Sequence, residues 1–227
     1  MVNFDAHAEN YSESLAQGLA VSGEDSSYYI RGRIAWVKRC LDRIGVRPTS
    51  CLDYGCGCGD SAAELLRTLG LEAVTGVDVS IEEIKVAQRK HAGLSASFWE
   101  LNKFCPRGEF DLAYCNGVFH HIAPTDRRRS LQYVNKSLRA GGYFAFWENN
   151  PWNPGTRYIM SRIPFDENAI TLSPPDAARL LRTAGFTIVH STFQFVFPRV
   201  LKAFRPLEPV LAGLPVGAQY QILCIKE

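Results

Sequence analysis

The chain has 227 residues and a formal net charge of +2, with 46% of its residues hydrophobic and 21% charged. This composition is that of a globular protein and excludes disordered, collagen-like and coiled-coil chains. The near balance of charge gives no electrostatic reason to expect nucleic acid or an anionic membrane as a partner, so a small ligand is the expected one.

The seven cysteines are odd in number and lie mostly in apolar runs, which is not the pattern of a disulfide framework and favours a reducing cytoplasm. Cys56 and Cys58 form a C-x-C pair without a second cysteine or histidine pair at ligand spacing, so no metal site is predicted. The first residues lack the apolar core of a signal peptide, and no apolar run approaches the roughly 20 residues of a membrane span. We therefore expect a cytoplasmic protein without a membrane partner.

Residues 1–49 are predicted to be helical. Ser22 followed by Asp25 resembles a capping box, and apolar residues then recur at spacings of three and four until the helix ends at Gly45. Beyond Pro48 the pattern changes to short apolar runs that alternate with helical patterns.

The alternation of strands and helices predicts a doubly wound α/β fold, in which helices cover both faces of a largely parallel sheet. A further helix begins at Ser173 with Pro174 at its first position and ends at Gly185. Three consecutive arginines from Arg127 are expected to spread around a helix and face solvent. The predicted strands are 50–54, 73–77, 96–99, 110–115, 143–147, 186–197 and 219–225, the predicted helices between them include 60–69, 80–91 and 125–138, and an amphipathic stretch covers 200–211.

A glycine-rich loop, LDYGCGCGD, joins the first predicted strand to the following helix. Glycines let the backbone turn sharply and approach a ligand, and the helix N-terminus offers unpaired amides. Asp78 follows Gly59 by nineteen residues, at the end of the second strand, where a carboxylate can accept both hydroxyls of a ribose. The loop and the carboxylate together predict a cofactor that contains adenosine.

A nicotinamide dinucleotide is the first alternative for that cofactor. Its G-x-G-x-x-G fingerprint is not matched, because the glycines stand at 55, 57 and 59 and the sixth position is Asp60. Acids at this loop would repel a diphosphate, whereas Asp53 and Asp60 suit a ligand with an ammonium and a sulfonium group. S-adenosylmethionine is such a ligand.

With these motifs, the chain resembles the class I S-adenosylmethionine-dependent methyltransferases over residues 50–147. LDYGCGCGD matches the family's glycine motif, GVDVS its ribose-binding acid, and FDLAYCNGVFHHI its fourth strand and following loop. The resemblance implies a Rossmann-like sheet of seven strands, mostly parallel, with an antiparallel last strand at 219–225. It also implies S-adenosylhomocysteine as the product.

The resemblance further implies a cofactor site. Asp78 would contact the ribose, Val79 the adenine ring and Glu100 the adenine amino group. The residues expected to line the methionine part of the cofactor are Asp53, Gly55, Cys56, Gly57, Asn116 and Gly117.

The domain prediction is an N-terminal helical lid over residues 1–49 and a cofactor-binding domain over 50–227, with insertions at 148–172 and 197–216. Tyr11 and Arg33 lie in the N-terminal segment that corresponds to the lid in members of the resembled family. Arg33 would hold the carboxylate of the cofactor there, with a surface ion pair as its alternative role.

Three residues at the carboxyl edge of the sheet are candidates for acceptor chemistry. His120 and His121 follow the fourth strand and Glu148 ends the fifth, so any of them could act as a base. A role in packing and hydrogen bonding is the alternative for the histidines. The 148–172 insertion is expected to be a long loop that receives the acceptor or else covers the sheet edge. Its candidate acceptor-binding residues are Trp152, Arg157, Tyr158 and Phe165.

The predicted function is methyl transfer to an oxygen or nitrogen atom of a small biosynthetic molecule, with carbon less favoured. Two rivals stay open: an NAD-type oxidoreductase and a cofactor-binding pseudoenzyme or partner subunit. A homodimer is also left open. The Asn-Asn-Pro-Trp run at residues 149–152 does not indicate a nucleic-acid methyltransferase, because it follows the fifth strand and lacks flanking basic residues.

Overall fold

The protein is described by a computed structural model over residues 20–163 and 166–227. Within these ranges seven strands form one sheet. They are Ser50–Tyr54 (β1), Ala73–Asp78 (β2), Ala96–Glu100 (β3), Phe110–Asn116 (β4), Leu138–Asn149 (β5), Phe186–Gln194 (β6) and Gln219–Lys226 (β7). The strand order is β3-β2-β1-β4-β5-β7-β6. Strands β1 to β5 pair in parallel, and β7 is antiparallel to both β5 and β6, which confirms the predicted topology.

Helices cover both faces of this sheet. They are Ser26–Arg43 (α1), Ala62–Leu69 (α2), Ile81–Lys90 (α3), Arg127–Ser137 (α4), Pro154–Met160 (α5), Pro174–Thr183 (α6) and Glu208–Leu211 (α7). One core packs α4 and α6 against Phe144 and Phe146 of β5. The other packs α1, α2 and α3 against the opposite face, where Trp147 is fully buried. The alternation of side chains along β5 thus supplies both cores.

The sequence placed most helix starts correctly. Ser80 accepts a hydrogen bond from the N–H of Glu83, and Ser173 accepts one from Asp176, as the capping patterns predict. The prediction for α1 was wrong, because Asp25 and not Ser22 caps it by accepting from the N–H of Tyr28 at 2.8 Å. Ser22 lies instead in a 3₁₀ turn, Ala20–Ser22.

Three other sequence expectations are corrected. The stretch 148–172 is not loop throughout, because Asn153 caps α5 within it. Strand β6 ends at Gln194 rather than 197, and Phe195 follows with a φ of 63°. Arg127 does not face solvent: it is buried and donates to the carbonyl oxygens of Ile122 and Ile170, whereas the next two arginines are exposed.

The β6–β7 connection begins with a 3₁₀ helix, Arg199–Leu207, and continues into α7, and neither has a buried residue. Because β5 ends where β7 begins, this connection lies at the carboxyl edge of the parallel strands. In the part of the chain that the structure describes, the helices are too short or too polar to cross a membrane.

Candidate functional site

The glycine-rich loop leaves β1 in a conformation that only glycine adopts readily. Gly55, Gly57 and Gly59 all have positive φ values, of 72°, 52° and 76°. A Cβ atom on Gly55 would lie 2.3 Å from Cγ2 of Val118, so this position also requires a missing side chain. A Cβ atom on Gly57 would meet only the carboxylate of Glu83 at 3.5 Å. Gly57 therefore leaves open space beside the loop.

Asp78 fixes the loop from the end of β2. Its Oδ2 accepts a 2.9 Å hydrogen bond from the N–H of Gly57, and its Oδ1 accepts one of 2.9 Å from the N–H of Ser80. Gly55 and Cys56 both donate to the carbonyl oxygen of Val77. The predicted ribose-binding acid and the predicted glycine motif therefore form one unit.

A second carboxylate lies behind the loop. Asp53 is 3% exposed, and burial together with the charge of Asp78 raises its pKa to about 7, although the charge of Arg33 opposes the shift. Arg33 is buried and donates to the hydroxyl of Tyr114 and to Oε1 of Gln219. The alternative prediction for Arg33, a surface ion pair, is therefore wrong. Its charge instead favours the ionised form of Asp53.

The end of β4 offers an unsatisfied acceptor to a bound cation. The Oδ1 atom of Asn116 is buried and receives no hydrogen bond from the residues within the described ranges. Gly117 follows it with a φ of 67°. A buried carbonyl without a donor is costly, so this atom fits the ammonium group of a cofactor. The residues present therefore fit S-adenosylmethionine.

The other predicted cofactor residues differ from one another in exposure and in contacts. Val79 directly follows β2 and is 64% exposed, which leaves its side chain available to a ring. Glu100 ends β3, where it forms an ion pair of 2.6 Å with Lys103. Cys56 lies within the loop, where burial raises the pKa of its thiol. Tyr11 lies outside the described residues.

The three candidate catalytic side chains are in contact: the His120 and His121 ring centroids lie 4.0 Å apart, and His120 also contacts Glu148. Glu148 is 1% exposed; its Oε2 lies 2.6 Å from Nδ1 of His120, and its Oε1 accepts from the N–H of Phe119 at 2.7 Å. Both carboxylate oxygens thereby hold the turn that follows β4. Glu148 is placed for this because it points to the same face of β5 as Phe146, which packs on Phe119.

Sequence reasoning missed a fourth member of this group. Asp166 is buried, and its Oδ1 lies 3.4 Å from Nε2 of His120 and 3.3 Å from Nε2 of His121. The following segment is tied down because Ile170 donates its N–H to the carbonyl oxygen of His120 at 2.8 Å. We call His120, His121, Glu148 and Asp166 the histidine–carboxylate cluster. No local sequence signal links Asp166 to the histidines.

The two adjacent histidines have opposite electrostatic environments. Burial alone would lower the pKa of His120, but Glu148 and Asp166 outweigh it and raise the pKa to about 10. Burial and the charge of His120 lower the pKa of His121 to about 4. Such divergence between neighbouring groups is typical of functional sites.

A cavity of about 360 Å³ adjoins the cluster. Arg157 and Met160 of α5 line it together with Asp166 and Thr171. Of the predicted acceptor residues, Arg157 is thus at this cavity. Tyr158 is 48% exposed beneath the guanidinium of Arg162.

Trp152, another predicted acceptor residue, does not line this cavity. Trp152 is 51% exposed and stacks on Phe193, with ring centroids 6.5 Å apart. Phe165 lies outside the described residues.

The strand order, the antiparallel β7, the glycine loop and Asp78 define the class I S-adenosylmethionine-dependent methyltransferase fold. Residues 51–142 match the family model described as a methyltransferase domain. Over these residues the chain is similar to a methyltransferase domain, as the motifs predict. The cofactor of this family is S-adenosylmethionine.

Curated relatives match only part of the chain. It is 27% identical to the cyclopropane-fatty-acyl-phospholipid synthase of Escherichia coli (strain K12) over 111 residues, which cover 48% of this chain and 29% of the relative. It is 26% identical over 174 residues to the O-methyltransferase resE of Aspergillus sclerotiorum, covering 68% of this chain and 63% of that protein. The chain thus spans less than two thirds of the length of either relative.

Among solved structures, the fold matches a chain from the Haloferax volcanii complex between the Trm112 methyltransferase activator and a methyltransferase. The TM-score is 0.67, the sequence identity 17%, and the match covers 99% of this chain and 98% of that chain. At this identity the similarity concerns the fold.

Proposed function

We propose that this protein transfers a methyl group from S-adenosylmethionine to an oxygen or nitrogen atom of a small molecule. The observation that carries the proposal is the hydrogen bond from Gly57 to Asp78, which joins the glycine loop and the ribose-binding acid at the carboxyl edge of the sheet. The cofactor supplies a methyl group on a positively charged sulfur.

The chain's own residues would hold that cofactor by charge and by unsatisfied polar atoms. Asp53 and Oδ1 of Asn116 suit an ammonium group, and Asp78 suits ribose hydroxyls. Methyl transfer requires alignment of the reacting atoms more than it requires a catalytic group, and fixed alignment contributes up to roughly 7–11 kcal/mol to lowering a barrier. The rigid attachment of the loop to β2 supports that role.

The cavity and not the relatives indicates the acceptor, because the names of the two curated relatives describe different reactions. A volume of about 360 Å³ falls at the lower end of the usual range for small-molecule sites. Arg157 offers a forked donor that matches a carboxylate or phosphate group. Asp166 brings the histidine–carboxylate cluster of His120, His121, Glu148 and Asp166 to the wall of this cavity, where the cluster would activate an acceptor hydroxyl or amine.

Equilibrium calorimetry with S-adenosylmethionine, S-adenosylhomocysteine and NAD tests the cofactor. We expect both sulfur compounds to bind and NAD not to bind. Tight NAD binding without binding of S-adenosylmethionine would overturn the proposal in favour of the oxidoreductase.

Turnover separates the enzyme from a binding protein. Mass spectrometry should detect S-adenosylhomocysteine with a panel of small carboxylated hydroxyl and amine acceptors. Cofactor binding without turnover on any acceptor would favour the pseudoenzyme. For an accepted substrate, Arg157→Ala should raise KM, whereas Arg162→Ala, which removes a nearby arginine paired with Tyr158, should not.

A further inference from the structure

We propose that His120, His121 and Asp166 bind one divalent transition-metal ion, with Zn²⁺ the best fit. Their ligand atoms come from the turn after β4 and from the segment before α6, and all three atoms lie within 4.8 Å of one another. The three side chains are nearly inaccessible, with exposures of 4%, 9% and 4%. A composition of two imidazoles and one carboxylate is a common donor set for such ions.

Two of the three distances between the ligand atoms match a tetrahedral ion, and the third is below 4.8 Å. Zinc bonds of about 2.0–2.1 Å at tetrahedral angles place neighbouring ligand atoms about 3.3–3.4 Å apart. The distances from Asp166 Oδ1 to Nε2 of His120 and of His121 are 3.4 and 3.3 Å. An octahedral Mg²⁺ with bonds of about 2.0–2.1 Å would instead bring adjacent ligands to about 2.9 Å.

Hydrogen bonding alone does not account for this geometry. A charge-assisted N–H···O bond is about 2.7–2.9 Å long, and both of these contacts are longer. Oδ1 of Asp166 receives no hydrogen bond of acceptable geometry from the part of the chain that the structure describes, although it is buried. Arg127, a buried arginine near Glu148, donates to carbonyl oxygens instead of to a carboxylate. Two nitrogens at 3.4 and 3.3 Å from one oxygen fit the arrangement of ligands around a shared centre.

The surroundings of His120 complete the resemblance to a metal site. Ligating histidines commonly donate their other ring nitrogen to a carboxylate, which fixes the tautomer and the ring orientation. Nδ1 of His120 does so to Glu148 at 2.6 Å, leaving Nε2 for the ion. Glu148 is thus a positioning residue. Three protein ligands also leave a fourth position for water or substrate, as in catalytic zinc sites.

The use of the ion rests on the proposed function. Asp166 lines the 360 Å³ cavity, so the ion would lie at the cavity wall and hold an oxygen or nitrogen atom of the acceptor. The sequence predicted no metal because its cysteines lack ligand spacing and because Asp166 is distant in the chain from the histidines.

The test is the metal content of the full chain, purified without chelators and measured by mass spectrometry. We expect about one zinc ion per chain, and a one-to-one titration of the metal-free protein with Co²⁺ that gives the intense visible absorption of a tetrahedral site. Asp166→Ala and His121→Ala should each abolish stoichiometric binding, and the adjacent exposed Glu167→Gln should not. Glu148→Gln should weaken binding about 10–100-fold without abolishing it.

Circular dichroism would establish that each variant is folded. Wild-type protein that neither contains zinc nor binds Co²⁺, or binding that survives in both ligand variants, would overturn the metal site. Calorimetry of the metal-free protein with S-adenosylmethionine tests the proposed function separately, because the cofactor residues do not include the ligands.

Discussion

The backbone N–H of Gly57 donates a 2.9 Å hydrogen bond to Oδ2 of Asp78 and so attaches the glycine loop to the neighbouring strand. Asp78→Ala should weaken S-adenosylmethionine binding by about 1.5–3 kcal/mol, roughly 10- to 150-fold, because it removes hydrogen bonds to a charged group. Calorimetry would measure this. Glu72→Gln, an exposed acid at the opposite edge of the sheet, is the control and should bind normally. Equal affinity in both variants would contradict a ribose contact for Asp78.

Cofactor affinity should depend on pH near neutrality. Burial and Asp78 raise the pKa of Asp53 to about 7 in the free protein, so this carboxyl is largely neutral below pH 7. A bound ammonium group favours the ionised carboxylate, so binding should strengthen as pH rises through 7 and should release protons. Calorimetry between pH 6 and pH 8, in buffers of different ionisation enthalpy, would detect both effects.

The control for this prediction is Asp53→Asn, which cannot titrate. It should bind the cofactor more weakly at pH 8 and lose the pH dependence over the same range. A variant that keeps the full pH dependence would assign it to another group.

The contact between Gly55 and Val118 should be visible as an energetic coupling. Gly55→Ala would hold an alanine in a left-handed conformation, which costs about 1–2 kcal/mol. The added methyl group would also clash with Val118, which costs about 1–3 kcal/mol more. Gly45→Ala is the matched control, because it has a φ of 70° and no atom within 4 Å of the added Cβ. Urea unfolding should show the larger loss for Gly55→Ala.

Val118→Ala introduced together with Gly55→Ala should recover part of that loss, because the added methyl then meets a shorter side chain. Strict additivity of the two changes would contradict a direct clash between these positions.

Asp111 should stabilise the fold without affecting the site. Burial alone would raise its pKa, but hydrogen bonds from Arg139, Thr49 and Ser50 outweigh it and hold the pKa well below the usual value. Their contribution to stability is therefore complete above about pH 4, the value in unfolded chains, and is lost as the pH falls further. Asp111→Asn should lower the free energy of unfolding at pH 7 by about 1–2 kcal/mol.

The same variant should destabilise less at pH 3 than at pH 7, as measured by urea unfolding at the two pH values. Its affinity for S-adenosylmethionine should equal that of the wild type, since Asp111 lies at the amino edge of the sheet. A loss of affinity in the folded variant would show that the two edges are coupled.

The sequence by itself determined the strand–helix alternation, the glycine loop and the distant partner Asp78. Apolar periodicity, helix caps and the glycines of the loop are local patterns, because each depends on residues only a few positions apart in the chain. It also placed His120 and Glu148 on one edge, because the carboxyl ends of neighbouring parallel strands meet there. Errors at local level arose where two signals competed, as when Asp25 rather than Ser22 capped the first helix.

Only the tertiary structure decided which side chains touch. Arg127 is buried because its guanidinium meets the carbonyl oxygens of Ile122 and Ile170, the second of which belongs to a remote segment. Asp166 joins the histidines for the same reason, through the path of the chain after α5. Contacts of this kind depend on how segments far apart in the chain pack together, and no periodicity or spacing within either segment encodes them.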